Sequence, residues 1–150
     1  GIAPIQDFMN HGINVAIGTD GPASNNGLDM FREMYLTTAL AKVREQDASS
    51  VPAQEVLYMA TTGGAKAMGL TECDCLDVGK MADLIMIDLR QPNMQPQNNL
   101  IKNLVYSGSK QNVKMTMIHG KILYEDWKFY IPFEEDRVYA RANEIIGRMK

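Results

Sequence analysis

Apolar residues recur at helical spacing in two places within the first third of the chain. The first stretch covers residues 4–10, and the second begins at Leu28 or Asp29 and continues to about Glu45. Between them, the short apolar run 14–19 opens into a loop rich in Gly, Pro, Ser and Asn and predicts a buried parallel strand. The second helix is expected to bury a stripe made of Met30, Met34, Leu36, Ala39, Leu40 and Val43.

Helical character continues through the middle of the chain. Residues 52–61 predict another helix, with Pro52 in its first turn and Ser50 as its expected cap. The Gly63-Gly64 pair is expected to end this helix, and residues 65–68 predict a further short turn.

Around Asp77 the pattern changes from helical to β. A glycine turn followed by an apolar run predicts a strand within residues 78–88. Residues 113–118 and 121–124 predict a hairpin that turns at His119-Gly120. The remaining segments are expected to be an irregular loop over 91–99, a helical turn over 103–107, a short strand over 127–130, and a polar helix over 134–149 with an apolar stripe of Val138, Ala142, Ile145, Ile146 and Met149.

Composition and charge narrow the classes of partner. The formal net charge is −3 and no Lys/Arg cluster is present, so nucleic acid is not an expected partner. The sequence lacks a long apolar run and a signal-peptide pattern, so we expect a cytoplasmic protein without membrane contact. Cys73 and Cys75 form a C-x-C without a second Cys/His pair, and we expect reduced thiols in a mobile loop.

The length of the chain limits which folds it can contain. The chain has 150 residues with 45% hydrophobic content, which is enough for one core. A complete (β/α)8 barrel needs roughly 250 residues, so the chain is too short to contain one. It begins at Gly1 rather than methionine, which favours a fragment of a longer protein as the interpretation.

Several motifs together resemble those of one enzyme family. Residues 18–26 read Gly-Thr-Asp-Gly-Pro-Ala-Ser-Asn-Asn and resemble the Gly-Thr-Asp-Gly-x-x-Ser-Asn-Asn pattern of the amidohydrolase superfamily, closest to the 5'-methylthioadenosine/S-adenosylhomocysteine deaminases. Further family motifs are matched by Ala60-Thr61 with Gly64-Ala65, Ala67 and Gly69, by the run from Gly79 to Asp88, and by the run from Asn103 to Ser107.

The resemblance implies an α/β fold class. The chain is similar to the C-terminal piece of a TIM-barrel (β/α)8 metal-dependent hydrolase, together with part of the small β-sandwich that flanks the barrel. On this basis residues 1–71 are expected to be the last βα units of the barrel. Residues 72–132 are expected to be part of the sandwich domain, and residues 133–150 to be a C-terminal helix.

Asp20 is the leading candidate for chemistry. It ends the predicted strand 14–19, at the edge where α/β enzymes place catalytic groups. The resemblance implies that Asp20 is a metal ligand and helps to activate the attacking water, with zinc as the favoured metal and iron or manganese as alternatives. The other interpretation of this residue is a helix cap or an Asx turn.

The family's remaining metal ligands have no counterparts in this sequence. The family uses a His-x-His pair and two further histidines, whereas this chain contains only His11 and His119. His11 is expected to contact carbonyls at a helix end, and His119 is expected to lie exposed in a hairpin turn. We therefore expect the isolated chain to lack the metal and to be inactive alone.

The resemblance implies a function for the parent protein. Ser24, Asn25 and Asn26 lie in the loop beside Asp20 and are expected either to orient Asp20, to contact substrate, or to serve turn chemistry alone. The implied reaction is metal-dependent hydrolytic deamination of a small-molecule, adenosine-type nucleoside. Guanine, cytosine-type or triazine rings are alternative substrates, and a non-catalytic remnant or interaction module is the alternative class. A homo-oligomer, or a need for the missing N-terminal part, is expected.

Overall fold

The computed structural model describes residues 1–149, and its first half is helical. Pro4 precedes the first helix, and Asp29 caps the longest one by accepting hydrogen bonds from the backbone N–H groups of Phe31 and Arg32. The helices in this half are α1 (Ile5–Asn10), α2 (Pro22–Asn25), α3 (Met30–Glu45), α4 (Ala53–Ala60) and α5 (Thr62–Ala67).

The second half is built around a small antiparallel sheet. Its elements are β1 (Leu84–Ile87), α6 (Leu100–Ser107), β2 (Val113–Ile118), β3 (Lys121–Glu125), β4 (Lys128–Phe129) and α7 (Glu135–Gly147), with short 3-10 turns at Pro92–Met94 and Lys110–Asn112. These elements confirm the predicted β pattern after Asp77, the hairpin at His119-Gly120 and the helical turn over 103–107.

Strands in this sheet follow one another in chain order. The order is β1-β2-β3-β4, with every neighbouring pair antiparallel. Leu84 lies opposite Met117, and Ile118 lies opposite Lys121 at the hairpin end. Tyr124 and Phe129 are cross-strand partners whose rings pack 5.1 Å apart between centroids.

The core lies among helices α3, α4 and α6. Thr38 is a fully buried polar residue on α3, and its hydroxyl donates a 2.8 Å hydrogen bond to the carbonyl of Val51, so burial leaves it satisfied. The buried apolar cluster comprises Phe31, Met34, Ala41, Val51, Ala53, Val56, Met59 and Val105. Burial of each large side chain contributes about 1.5–3 kcal/mol, and this cluster fixes the helices that surround the loop at Asp20.

The predicted strand over 14–19 is wrong as a strand within the described residues. This stretch has no ladder partner in the part of the chain that the structure describes, and it runs as an irregular segment. Its contacts are to helices: the Ile17 N–H donates to the carbonyl of Met59 at 3.2 Å, and the Asn14 side chain donates to the carbonyl of Gly63 at 3.0 Å. A parallel strand needs neighbouring strands, and residues 1–149 supply none.

The buried face of α3 also differs from the prediction. Leu40 and Val43, expected to face inward, are 45% and 68% exposed, whereas Thr38 and Ala41 are buried. The physical reason is that apolar residues occur on several sides of this helix, so their pattern does not single out the side on which α4 and α6 pack.

Two predicted helix boundaries are corrected by the structure. Helix α4 follows Pro52 without a side-chain cap, and Ser50 is buried with its carbonyl accepting a hydrogen bond from the Lys42 ammonium. The Gly63-Gly64 pair lies inside α5 rather than ending a helix. The break comes two residues before Gly63, where Thr61 leaves helical geometry at φ −123° and ψ −97°.

Helix α7 forms as predicted but buries none of its residues. Val138, Ile145 and Ile146 of the predicted stripe are 50%, 45% and 56% exposed. The stripe therefore faces away from the core of the described residues. Among the helices described here, none has the length and hydropathy needed to cross a membrane.

Candidate functional site

The segment that leads to Asp20 is held closely against α5. A Cβ atom at Gly63 would lie 2.8 Å from the carbonyl oxygen of Val15, a distance that real Cβ atoms do not reach. Only glycine at position 63 lets α5 approach the backbone at Val15 this closely. Two residues further along, the hydrogen bond from the Ile17 N–H to the Met59 carbonyl holds the same segment against α4. Packing against α4 and α5 thus fixes the direction in which the chain enters Asp20.

Asp20 is exposed and lies at a left-handed backbone position. Its φ is +55°, a conformation that aspartate adopts more readily than most residues. One carboxylate oxygen accepts a hydrogen bond from the Gly21 N–H at 2.7 Å, and the other accepts one from the Ser24 hydroxyl at 2.8 Å. The Ser24 hydroxyl, followed by the Gly21 N–H, lowers the pKa of Asp20 below its ordinary value, so the group is a carboxylate at neutral pH.

The three loop residues that follow are placed differently. Ser24 lies in the single turn of α2, one turn after Asp20, and contacts its carboxylate directly. Asn25 points the other way, and its amide donates to the carbonyl of Thr19 at 2.7 Å and to the Glu33 carboxylate at 2.9 Å. Asn26 is exposed at φ +61°, where it ends α2. The structure therefore brings Ser24 to Asp20, while Asn25 reaches the backbone just before it.

Arg32 and Glu33 join this loop, although the sequence did not single them out. The Arg32 guanidinium donates to both oxygens of Asn25, at 3.2 Å to the backbone carbonyl and by a shorter bond to the side-chain oxygen. It also contacts the Glu33 carboxylate at 3.4 Å. The sequence carries no signal for these contacts, because they arise only when the first turn of α3 folds back over the loop.

The two histidines lie where the sequence predicts them. His11 follows α1, and its Nδ1 lies 2.7 Å from the carbonyl oxygen of Asp7 at the end of that helix. His119 is exposed in the β2–β3 turn at φ +51°, and its backbone N–H donates to the Asp83 carboxylate at 2.5 Å. Neither histidine contacts Asp20.

A metal ion would find one suitable ligand in this loop. Each oxygen of the Asp20 carboxylate accepts one hydrogen bond and keeps lone-pair capacity, and the group is exposed and ionised, as a divalent cation requires. Residues 1–149 contain no group of three or more His, Cys, Asp or Glu side chains that could hold a metal ion. The Asp20 carboxylate is therefore chemically suited to bind a divalent ion as one ligand, and the described residues place no second and third ligand beside it.

Cys73 and Cys75 are free thiols, as the sequence predicts. A hydrogen bond to Asp83 raises the pKa of Cys73. Cys75 is exposed, and its pKa is raised by the loss of some hydration and by the negative charge of Asp74. Both thiols are therefore less reactive than an ordinary cysteine at neutral pH.

A cleft of about 390 Å³ lies near the start of the same segment, lined by residues that include Ile13, Asn14, Glu55, Tyr58 and Lys66. Asp20 does not line it, because several residues of chain separate Asn14 from the carboxylate.

Family comparison identifies the class of protein to which these motifs belong. The model of the amidohydrolase family matches residues 1–123, a range that includes the Asp20 loop, the core helices and most of the sheet. The chain belongs to the amidohydrolase family.

Among curated relatives, the similar proteins are nucleoside deaminases. A 5-methylthioadenosine/S-adenosylhomocysteine deaminase of Syntrophobacter fumaroxidans is 42% identical, over 100% of this chain and 34% of that protein. A protein of the same name from Caldanaerobacter subterraneus is 46% identical, over 97% of this chain and 35% of that protein. A 5'-deoxyadenosine deaminase of Methanosarcina acetivorans is 40% identical, over 99% of this chain and 35% of that protein. The chain thus spans about a third of the length of these relatives.

Solved structures share the fold. An adenosine deaminase from Xanthomonas campestris with bound zinc is 35% identical and superposes with a TM-score of 0.94 over 99% of this chain and 34% of that one. An atrazine chlorohydrolase from Arthrobacter aurescens, complexed with zinc, is 25% identical. It superposes with a TM-score of 0.88 over 97% of this chain and 32% of that one. These neighbours confirm the α/β fold class inferred from the sequence.

Proposed function

We propose that this chain supplies part of the active site of a zinc-dependent enzyme that hydrolytically deaminates adenosine-type nucleosides such as 5'-methylthioadenosine or S-adenosylhomocysteine. The observation that carries the proposal is Asp20, an exposed, ionised carboxylate held in a left-handed turn within the family-matched range. The names of relatives 40–46% identical to the chain support the substrate class.

Asp20 is the proposed metal ligand and proton acceptor of this enzyme. A bound divalent ion lowers the pKa of a coordinated water toward 7 and so supplies hydroxide at neutral pH. The chain's own contribution is to keep the Asp20 carboxylate charged and oriented through Gly21 and Ser24. The remaining ligands come from outside residues 1–149 in this proposal, and for that reason we infer that the chain alone is inactive.

The loop residues have separate roles in the proposed enzyme. Ser24 orients Asp20 by donating to its second carboxylate oxygen. Asn26, exposed at the end of α2, is the loop residue proposed to meet substrate. Within the proposed architecture, residues 1–71 close the barrel and residues 72–132 form part of the sandwich. The expected C-terminal helix over 133–150 corresponds to α7, Glu135–Gly147, and residue 150 lies outside the described residues.

Hydrolysis of a triazine ring is the second candidate, because the atrazine chlorohydrolase superposes on nearly the whole chain. Sequence identity separates the two candidates, since it is 25% to that enzyme and 40–46% to the nucleoside deaminases. The nucleoside reaction is therefore preferred. A side-by-side assay of 5'-methylthioadenosine, guanine and atrazine with the complete enzyme distinguishes them.

Replacing Asp20 by Asn in the complete enzyme tests its proposed role. Asn keeps the shape of the side chain and its tolerance of the left-handed backbone but removes the charge that binds metal and accepts a proton. We expect kcat to fall by at least about 100-fold and bound zinc to fall below one per chain. Deaminase assays and elemental analysis measure the two effects.

Asp47 provides a matched control for this substitution. It is also exposed, it also accepts hydrogen bonds from a nearby serine, Ser49, and its pKa is also lowered. Asp47→Asn is expected to leave both kcat and zinc content unchanged, because Asp47 lies in the α3–α4 connection. Near-normal turnover by Asp20→Asn would overturn the assignment of Asp20.

A further inference from the structure

The side chain of Asn25 uses all of its donor capacity within the protein. Its amide nitrogen carries two hydrogens, and these go to the carbonyl of Thr19 at 2.7 Å and to the Glu33 carboxylate at 2.9 Å. Its amide oxygen faces the Arg32 guanidinium, which donates to it. The reversed orientation would set the amide oxygen against two other oxygens, so the surroundings fix the amide in one orientation. Asn25 therefore has no donor left for a substrate.

The contact to Thr19 controls the backbone that carries the Asp20 carboxylate. The Thr19 carbonyl belongs to the peptide plane that enters Asp20, and rotation of that plane changes the φ angle of Asp20. That angle is +55°, a left-handed value that needs support from its surroundings. The Thr19 hydroxyl also donates to the carbonyl of Asp20 at 3.1 Å, on the other side of the same residue.

Glu33 connects this backbone to a rigid part of the molecule. Its side chain is only 15% exposed, compared with 45% for Arg32. It lies in the first turn of α3, between Phe31 and Met34, which are 7% and 4% exposed and belong to the core cluster. Packing of this turn holds the Glu33 carboxylate in place, and Asn25 in turn links it to Thr19.

We propose that Glu33 is a positioning residue for the Asp20 carboxylate, acting through the Asn25 amide and the Thr19 carbonyl. The inference rests on the proposed function, because it assigns Glu33 a role in the same site. Arg32 supports the arrangement by orienting the Asn25 amide from the opposite side. Glu33 itself does not touch the reacting atoms.

Three substitutions in α3 of the complete enzyme test this role. Glu33→Ala removes the acceptor that holds Asn25, whereas Glu33→Gln removes the charge and keeps an oxygen that can accept from the same amide. Glu45→Ala is the matched control, because Glu45 follows Arg44 and contacts it as Glu33 contacts Arg32, but at the other end of the helix.

Two measurements are made on each variant. Steady-state kinetics with 5'-methylthioadenosine gives kcat and KM, and competition with a chelator gives the dissociation constant for zinc. For Glu33→Ala we expect kcat to fall about 10-fold or more with KM changed less than about twofold, and zinc binding to weaken about 10-fold. Glu33→Gln should stay within about threefold of the original protein in both. Glu45→Ala should match the original protein.

Each other outcome contradicts the inference in a different way. A Glu33→Ala enzyme with unchanged kcat and zinc affinity shows that Glu33 positions nothing. A rise in KM alone assigns Glu33 to substrate binding, and equal losses in Glu33→Ala and Glu45→Ala assign it to helix stability. If the unaltered enzyme binds no zinc and deaminates no nucleoside, the proposed function fails instead.

A second variant keeps the inference testable if Glu33→Ala does not fold. Asn25→Ala removes both amide hydrogen bonds and leaves α3 and its core contacts intact. The same inference requires Asn25→Ala to lower kcat and zinc affinity about as much as Glu33→Ala is expected to, with little change in KM. Zinc affinity is measured without substrate, so this readout is independent of turnover. Unchanged zinc affinity in Asn25→Ala overturns the inference.

Discussion

Individual carboxylates in this chain are kept charged by nearby donors rather than by buried partners. The pKa of Asp20 is lowered mainly by the Ser24 hydroxyl, that of Asp47 by Ser49, and that of Asp83 by the His119 N–H. In all three, a donor fixed by a turn stabilises the ionised form. The carboxylate that we propose as a metal ligand and the carboxylates that hold turns in place therefore share the same local chemistry.

Asp83 gives a prediction about pH. Because its folded pKa lies below the ordinary value of 3.8, its hydrogen bond to the β2–β3 turn adds stability above that value, and this is lost as pH falls through the folded pKa. We expect Asp83→Asn to lower the free energy of unfolding at neutral pH and to differ less from the original protein below about pH 4. Urea unfolding between pH 3 and 7 measures the difference.

A variant that keeps the backbone donor is the control for this prediction. His119→Asn retains the N–H and tolerates the left-handed φ of +51°. It should preserve the pH dependence of the original protein. A difference between Asp83→Asn and the original protein that stayed constant with pH would show that the charge of Asp83 is not what stabilises the turn.

At the residue scale, the sequence allowed part of the candidate site to be predicted. The four-residue spacing of Asp20 and Ser24 suits a contact across one turn, and the structure has it. The role of Asn25 was left open between orientation, substrate contact and turn chemistry. Its contacts with Arg32 and Glu33 could not be predicted, because they depend on the angle at which α3 leaves the loop.

At the scale of elements, the ends of helix α3 were easier to predict from the sequence than the side of the helix that is buried. Helix α3 begins and ends within two residues of the prediction, because Asp29 is a strong cap whose side chain accepts from two N–H groups. The buried side of α3 was predicted wrongly at Leu40 and Val43, since contacts with α4 and α6 decide it. The segment 14–19 has a strand-like pattern, but pairing needs neighbours that residues 1–149 do not include.

The adjacent glycines of α5 yield a prediction about helix packing. A Cβ at Gly63 would lie 2.8 Å from the Val15 carbonyl oxygen, whereas one at Gly64 would make an ordinary contact at 3.5 Å with the carbonyl of Met59. We expect Gly63→Ala to destabilise the protein by about 1–3 kcal/mol, because the segment must move away from the helix.

Gly64→Ala is the control, and it is expected to stabilise the helix by up to about 1 kcal/mol through helix propensity alone. Thermal or urea unfolding compares the two variants. Equal effects would show that the segment at Val15 is not packed against α5 as described.

At the scale of the whole molecule, the chain leaves surfaces without partners. Residues 14–19 pair with no strand within residues 1–149, and the apolar side of α7 is exposed. The relatives named above are about three times as long. In the proposed enzyme, the missing length supplies the other metal ligands.

A metal analysis of the purified 150-residue chain is the direct check on this view. We expect substoichiometric zinc after exhaustive desalting and no deamination of 5'-methylthioadenosine, because one carboxylate does not hold a divalent ion against water. One zinc per chain would contradict the expectation and show that copies of the chain, or another group in it, complete the site.

The hydrogen bonds around Asp20 have a consequence for how such a protein changes over evolutionary time. Every hydrogen bond described for the side chains of Asp20, Ser24 and Asn25 comes from within residues 19–33. The hydrogen bonds that orient the carboxylate therefore lie within one short stretch of sequence, whereas the direction from which the chain enters Asp20 depends on packing against α4 and α5. In the proposed enzyme, surfaces that select one ring over another can diverge without changing the hydrogen bonds that orient Asp20.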